Sequence, residues 1–212
     1  MDEKPVETTT YSLADAAPGP QERRSGERHL TLFRVGSLNI GDRRELCLIK
    51  NISAGGMLIR AYCEIPPGTR ISVELKHGTP VEGVVRWAEE QSIGITFDTP
   101  VDVVELLAAS MDGPRPRMPR VEVNCVAWLR EDGTVHRVHA RDISQGGIKV
   151  ETANDIAVGS DVVVSLAGLV PQPGKVCWHD GQCYGIMFNR VIALPALVDW
   201  LHEQRDRLRA SA

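Results

Sequence analysis

The sequence has 212 residues, enough for one large domain or two small ones, and its 24 basic and 28 acidic side chains give a formal net charge of −4. This acidic balance argues against a general binder of nucleic acid, because such a protein needs a basic surface that releases counterions. Five cysteines without a CxxC pair or a metal-ligand spacing argue against a metal site and favour a reducing compartment, which we expect to be the cytoplasm.

Residues 1–21 are polar and rich in Thr, Pro, Ala and Gly, and they predict a disordered N-terminal arm. Short apolar segments separated by turn signals follow from Leu30 onward. In residues 71–75 apolar and polar side chains alternate, as in a strand with one buried face. The predicted strands are residues 46–49, 57–61, 71–75, 81–87 and 93–97, with a short helix over 101–109. Strands this short and closely spaced favour a small barrel or a sandwich.

Three prolines and a glycine mark residues 111–119 as a linker. The strands predicted beyond it are residues 121–128, 135–140, 148–151, 162–166, 174–178 and 184–188, and a helix runs from Pro195 to about Arg209. No apolar run approaches the length of a membrane-spanning helix, so we expect no membrane insertion. The sequence therefore divides into the arm, a domain over 22–110, the linker, and a domain over 120–212.

An internal repeat relates the two domains. The segment Asn51–Gly56 recurs as Asp142–Gly147, and Trp87 recurs as Trp178, each at an offset of 91 residues. A repeat of this length is a domain, since the repeats of solenoid proteins are roughly 20–50 residues long. The chain thus contains two copies of one fold, and the positions at which the copies differ carry information on function.

Two motifs of the first copy belong together. Arg24 and Arg28 form an RxxxR pattern before the first strand, with Arg23 directly ahead of it, and Asn51–Gly56 forms an NxSxxG pattern between strands. Alone, the first pattern is typical of a solvated charge run and the second of a turn closed by side-chain hydrogen bonds. Together, in this order and followed by the strand Gly94–Phe97, they resemble the PilZ domain family.

The resemblance implies a six-stranded β-barrel followed by a C-terminal helix, and hence a mainly β protein with two such barrels in tandem. It also implies binding of the bacterial second messenger cyclic di-GMP, with the arginines pairing with phosphate and guanine and the turn hydrogen-bonding guanine. The two glycines of the turn would allow unusual φ angles and a close approach of the ligand. The implied binding residues are Arg23, Arg24, Arg28, Asn51, Ser53, Gly55 and Gly56. In this family an arginine in the place of Arg23 accompanies an intercalated ligand dimer.

The second copy departs from the pattern. It keeps a DxSxxG version of the turn, which the family also accepts, but Arg28 maps to Pro119 and the RxxxR pattern is lost. Either this copy does not bind, or it forms a weak or shared site. The candidate residues of that second site are Arg117, Arg120, Asp142, Ser144 and Gly147.

Other residues of interest have simpler interpretations. His136 and His139 lie three apart on a predicted strand and face opposite sides, so they predict no metal pair. Trp87 and Trp178 occupy equivalent strand positions and are expected in the core or at the barrel rim. No nucleophile–base–acid set and no Gly-rich phosphate loop occurs, so we predict neither an enzyme nor a cofactor.

The hypothesis that follows is a non-enzymatic cyclic di-GMP receptor whose first domain binds the ligand. Binding would order the N-terminal arm and reorient the domains, which would expose a surface for a downstream protein partner of unknown identity. The alternative is a PilZ-like interaction scaffold that no longer binds nucleotide.

Overall fold

The computed structural model describes residues 31–75, 80–108 and 118–210, which form two copies of six strands and a helix. The first copy consists of β1 (Thr31–Ile40), β2 (Arg43–Ser53), β3 (Gly56–Arg60), β4 (Arg70–Glu74), β5 (Val81–Glu89), β6 (Ser92–Phe97) and α1 (Val103–Ala108). The second consists of β7 (Val121–Glu131), β8 (Thr134–Ser144), β9 (Gly147–Glu151), β10 (Asp161–Leu166), β11 (Gln172–Asp180), β12 (Cys183–Phe188) and α2 (Leu194–Ala210). The predicted arm over 1–21 and most of the predicted linker lie outside the described residues.

Each set of six strands closes into an antiparallel barrel. The order around the first barrel is β1-β2-β3-β6-β5-β4, and β4 closes on β1 with Ser37 opposite Glu74. The second barrel repeats this order as β7-β8-β9-β12-β11-β10. The predicted mainly β fold with two six-stranded barrels in tandem is therefore confirmed.

Alternation along the strands decides which side chains enter the barrels. Ile71 and Val73 of β4 are buried, whereas the polar residues beside them are more exposed, as the sequence pattern predicts. The turn before this strand uses Gly68 at a φ of 88°, and its counterpart Gly159 has a φ of 96°. Only glycine adopts this left-handed conformation at little cost, which explains why the residue recurs at the same offset.

The short helix begins two residues later than predicted because its start is fixed by two hydrogen bonds. The N–H of Val101 donates to the carbonyl of Ala54 at 2.9 Å, which ties that residue to the first barrel. The carboxylate of Asp102 accepts from the N–H of Glu105 at 3.0 Å and caps the helix. Helical backbone therefore begins at Val103.

The two copies share an interface formed by β2 and α2. Leu46 of β2 is buried in the apolar core of the second copy, and Leu48 packs against that core. Arg205 of α2 donates two hydrogen bonds to the carboxylate of Glu45, whose side chain is only 5% exposed. The Nη2–Oε2 distance is 3.0 Å, and Nε2 of His202 lies 3.5 Å from the same oxygen. The hydrogen bonds to Glu45 raise the pKa of Arg205, so the guanidinium stays charged.

Cys47 of β2 lies fully buried in the first core, and burial raises the pKa of its thiol to about 12. At pH 8 only about one in ten thousand of these thiols is therefore ionised, and the thiolate is the reactive form. We expect a thiol-specific reagent to modify the exposed Cys177 of the native protein rapidly and Cys47 only on unfolding. Peptide mass spectrometry over a labelling time course measures both rates. Equal rates at the two positions in native protein would show that the first barrel opens easily.

Candidate functional site

The NxSxxG motif forms the hairpin between β2 and β3. Ser53 pairs with Gly56, which leaves Ala54 and Gly55 as the two turn residues. The Ser53 hydroxyl donates to the Gly56 carbonyl at 3.1 Å, and the Gly55 carbonyl accepts from the N–H of Phe97 at 3.0 Å. The turn thus closes the barrel, while the oxygen of Ser53 keeps lone pairs that can accept a further hydrogen bond.

Asn51 lies on the outer face of the first barrel. A bulge at Lys50 precedes it and sets it opposite Leu58 of β3 on one side and Thr31 of β1 on the other. Its side chain is exposed and has no hydrogen-bond partner within residues 31–75, 80–108 and 118–210. The amide can therefore both donate to and accept from a bound molecule.

Close packing against the neighbouring strand, and not a left-handed φ angle, requires glycine at Gly56. Neither Gly55 nor Gly56 has φ in the left-handed region, contrary to the expectation from the sequence. A methyl group on Gly56 would overlap the carbonyl oxygen of Ile95 on the adjacent strand, whereas Gly55 has open space around it. Gly147 meets the carbonyl of Ile186 in the same way. The glycine therefore recurs because it lets two strands lie close together.

In the second motif, the Asp142 side chain is already paired with side chains of the same barrel. Arg120 donates to Oδ1 of Asp142, and Nζ of Lys149 lies 3.3 Å from Oδ2. Ser144 donates to the carbonyl of Gly147 at 3.3 Å, as in the first copy. The structure thus brings together four of the five residues predicted for a second site. Lys149 was not identified from the sequence, because its role depends on the residue across the strand pair.

The two tryptophans lie on the outer faces of the barrels and not in the cores. Trp87 is 43% exposed and Trp178 is 41% exposed. Val85 points into the core, and a bulge after it turns Trp87 outward, where strict alternation would have turned it inward. Each indole covers the glycine opposite, Gly94 or Gly185, so closely that a methyl group there would overlap the ring.

Strand pairing places four residues side by side on the outer face of the first barrel. This cross-strand row consists of Asn51, Leu58, Gly94 and Trp87, on β2, β3, β6 and β5. Leu58 was not identified from the sequence as part of the site. The sequence does contain a signal for it, since Leu58 lies two residues beyond Gly56 and side chains two apart lie on the same face of a strand.

A cleft of about 670 Å³ separates the barrels next to the second motif. Arg120 and Asp142 line it from the second copy, and the turn between β1 and β2 lines it from the first. Of the described residues, four arginines and four carboxylates line the cleft, and their formal charges cancel.

Several predicted residues lie outside the described part of the chain, namely Arg23, Arg24, Arg28 and Arg117. Within the described part, no three His, Cys, Asp or Glu side chains are grouped so as to hold a metal ion. None of the helices in that part is both long and apolar enough to cross a bilayer.

Comparison with solved structures finds matches at low identity and low TM-score. PlzA of Borreliella burgdorferi in complex with c-di-GMP is 14% identical, with a TM-score of 0.37, and the alignment covers 79% of this chain and 86% of PlzA. The Bacillus subtilis inhibitor of motility, MotI, is 12% identical with a TM-score of 0.34, over 84% of this chain and 99% of MotI. YcgR of Escherichia coli in complex with c-di-GMP is 12% identical with a TM-score of 0.34, over 84% of this chain and 86% of YcgR.

Comparison with curated proteins finds no match. The PilZ domain, in contrast, matches twice, over residues 22–111 and 114–201, and these two segments together make up most of the chain. Both matched segments contain one closed barrel with its NxSxxG or DxSxxG hairpin. The chain belongs to the PilZ domain family.

Proposed function

We propose that the protein is a non-enzymatic receptor for cyclic di-GMP and that its first barrel binds the ligand. Membership of the PilZ family supports this class of function, and one structural observation supports a site shared by the two motifs of the first copy. Thr31, at the start of β1, pairs directly with Asn51 of the hairpin motif. Arg28 precedes Thr31 by three residues, and three residues of chain span at most about 11 Å. Chain length therefore limits the distance between the Cα atoms of Arg28 and Thr31, which supports a site shared by Arg28 and the NxSxxG motif.

The second copy supports this geometry. Its first strand starts with the same pairing, Glu122 opposite Asp142, and Arg120 two residues earlier reaches the Asp142 carboxylate. An arginine just before the first strand can thus place its guanidinium at the motif. In the first copy the corresponding motif side chain is the neutral Asn51, which has no hydrogen-bond partner among the described residues.

The chemistry of the two motifs suits a cyclic dinucleotide. The guanidinium groups of Arg24 and Arg28 can bind phosphate oxygens through two parallel hydrogen bonds. A guanidinium can also donate to the O6 and N7 atoms of guanine or stack on its ring. Asn51 and Ser53 would hydrogen-bond a guanine edge from the hairpin. Gly55 leaves open space there for the ligand, and Gly56 lets the strands beneath it lie close together. Arg23 ahead of the motif favours two intercalated ligand molecules.

Signalling in this proposal uses the position of β2. The strand carries the motif at its C-terminal end and the interface residues Glu45, Leu46 and Leu48 before it. A ligand that orders the segment before β1 adds contacts beside this interface and shifts the relative orientation of the barrels. The reoriented surface would be recognised by a downstream protein partner.

Isothermal titration calorimetry of cyclic di-GMP into the full chain tests the proposal. We expect saturable binding that Arg24→Ala/Arg28→Ala weakens by about a hundredfold or more, since each charged hydrogen bond contributes about 1.5–3 kcal/mol. Arg115→Ala is the matched control, because it removes the counterpart of Arg24 in the second copy and should leave binding intact.

Stoichiometry then distinguishes a ligand dimer at one site from one ligand in each barrel. A ratio near two that persists in Asp142→Ala supports the dimer. Absence of heat in wild-type protein would refute the receptor and favour the interaction scaffold without a nucleotide.

A further inference from the structure

The two barrels carry different residues at one position of their outer faces, next to the motif. In the first barrel the cross-strand row runs from Asn51 through Leu58 and Gly94 to Trp87. The same register in the second barrel sets Lys149 between Asp142 and Gly185. Leucine in one copy is thus lysine in the other, directly opposite the motif residue.

In the first barrel this exchange leaves an apolar surface beside the Asn51 amide, which has no partner in the described part of the chain. Leu58 is half-buried, and its neighbour Gly94 is covered by the indole of Trp87, which keeps 43% of its surface exposed. No charged side chain belongs to the row. A planar base laid along it would pack on Leu58, meet the indole at one end and hydrogen-bond Asn51 at the other.

In the second barrel the same surface is closed. The Lys149 ammonium lies 3.3 Å from Oδ2 of Asp142, while Arg120 holds Oδ1, so both oxygens of the motif carboxylate are already paired. The Asp142 side chain is 15% exposed, and the two cations cover most of it. A ligand would have to separate two ion pairs and lie on a charged side chain to bind here.

We propose that the residue opposite the motif on the third strand of each barrel determines whether that barrel admits a purine base. Leu58 makes the row of the first barrel a base platform that ends at Trp87, and Lys149 together with Arg120 closes the second barrel. This inference rests on the proposed function, because the base it describes is a guanine of the cyclic dinucleotide.

The first test compares cyclic di-GMP affinities of wild type, Leu58→Lys and Leu58→Met by calorimetry. In Leu58→Lys the base would lose its apolar contact and lie on a charged side chain, so we expect binding to weaken about tenfold or more. Leu58→Met keeps an apolar side chain of similar volume and should change affinity less than about threefold. Circular dichroism confirms that each variant is folded.

The second test measures the effect of the ligand in the wild-type protein, and folded variants are needed only to assign resonances. The chain has four tryptophans, and Trp87→Phe and Trp178→Phe assign two of their indole N–H resonances in a ¹H–¹⁵N spectrum. Addition of cyclic di-GMP should shift the Trp87 resonance and leave that of Trp178 in place.

The outcomes separate the two proposals. If the ligand binds but Leu58→Lys has wild-type affinity, or the Trp87 resonance does not move, the platform is wrong and the receptor stands. If the Trp178 resonance shifts as well, the second barrel is not closed. If wild-type protein binds no cyclic di-GMP, the receptor and the platform both fail.

Discussion

Arg205→Met is expected to lower the free energy of unfolding by about 3 kcal/mol, because it leaves a buried carboxylate without its main partner. The Glu45 side chain is 5% exposed and receives two hydrogen bonds from this guanidinium. Of its ion-pair partners among the described residues, His202 at 3.5 Å would remain. The reverse change, Glu45→Gln, should cost only about 1 kcal/mol, because the Arg205 side chain is 26% exposed and can turn to water. Urea denaturation followed by circular dichroism measures both changes.

A matched control lies on the same helix. Arg207 is 56% exposed and pairs with Glu203 at 3.4 Å, so Arg207→Met should change stability by less than about 0.5 kcal/mol. Small-angle scattering adds a second readout, since loss of the interface should increase the radius of gyration of Arg205→Met alone. Equal effects of Arg205→Met and Arg207→Met would contradict the role of the Glu45 ion pair at the interface.

Gly56→Ala is expected to destabilise the first barrel by about 1–3 kcal/mol, the usual cost of overpacking. The added methyl group would overlap the carbonyl oxygen of Ile95, and backbone cannot move aside as a flexible side chain can. The stability of the variant is measured by thermal denaturation. Gly147→Ala should behave alike in the second barrel, where the obstacle is the carbonyl of Ile186.

Gly55→Ala is the control for this prediction. Gly55 lies one residue away in the same turn, has open space around it and does not adopt a left-handed φ. Its replacement should therefore change stability by less than about 0.5 kcal/mol. If both variants were equally unstable, the turn conformation and not the close strand contact would be the reason for the glycines.

Much of the fold could be predicted because its signals are local. Alternation in residues such as Ile71 and Val73 marked the strands, and the repeat showed that both barrels have the same order. Strand ends were less predictable. The sequence pattern does not predict the strand Thr31–Ile40. One of its inward-facing positions is Gly36, which interrupts the apolar alternation, and no proline marks the turns at its two ends.

The site was predictable only in part, for a physical reason. The hairpin residues Asn51, Ser53 and Gly56 are contiguous and form a recognisable pattern. Leu58 and Trp87 join Asn51 only through strand register, and the bulge that turns Trp87 outward has no signature in a single sequence. The pair Glu45–Arg205 is 160 residues apart along the chain, and a buried glutamate resembles an exposed one in the sequence.

The distance along the chain between Glu45 and Arg205 matters during synthesis on the ribosome. Domains generally fold as units during synthesis, so we expect the first barrel to form before Arg205, which follows Glu45 by 160 residues. At about 5–20 residues per second the partner arrives roughly 8–30 s later. During this interval Leu46 and Leu48 face water beside a carboxylate that has no cation yet. A charge within an apolar stripe opposes association of nascent chains, so Glu45 would protect the waiting surface before it joins the finished interface.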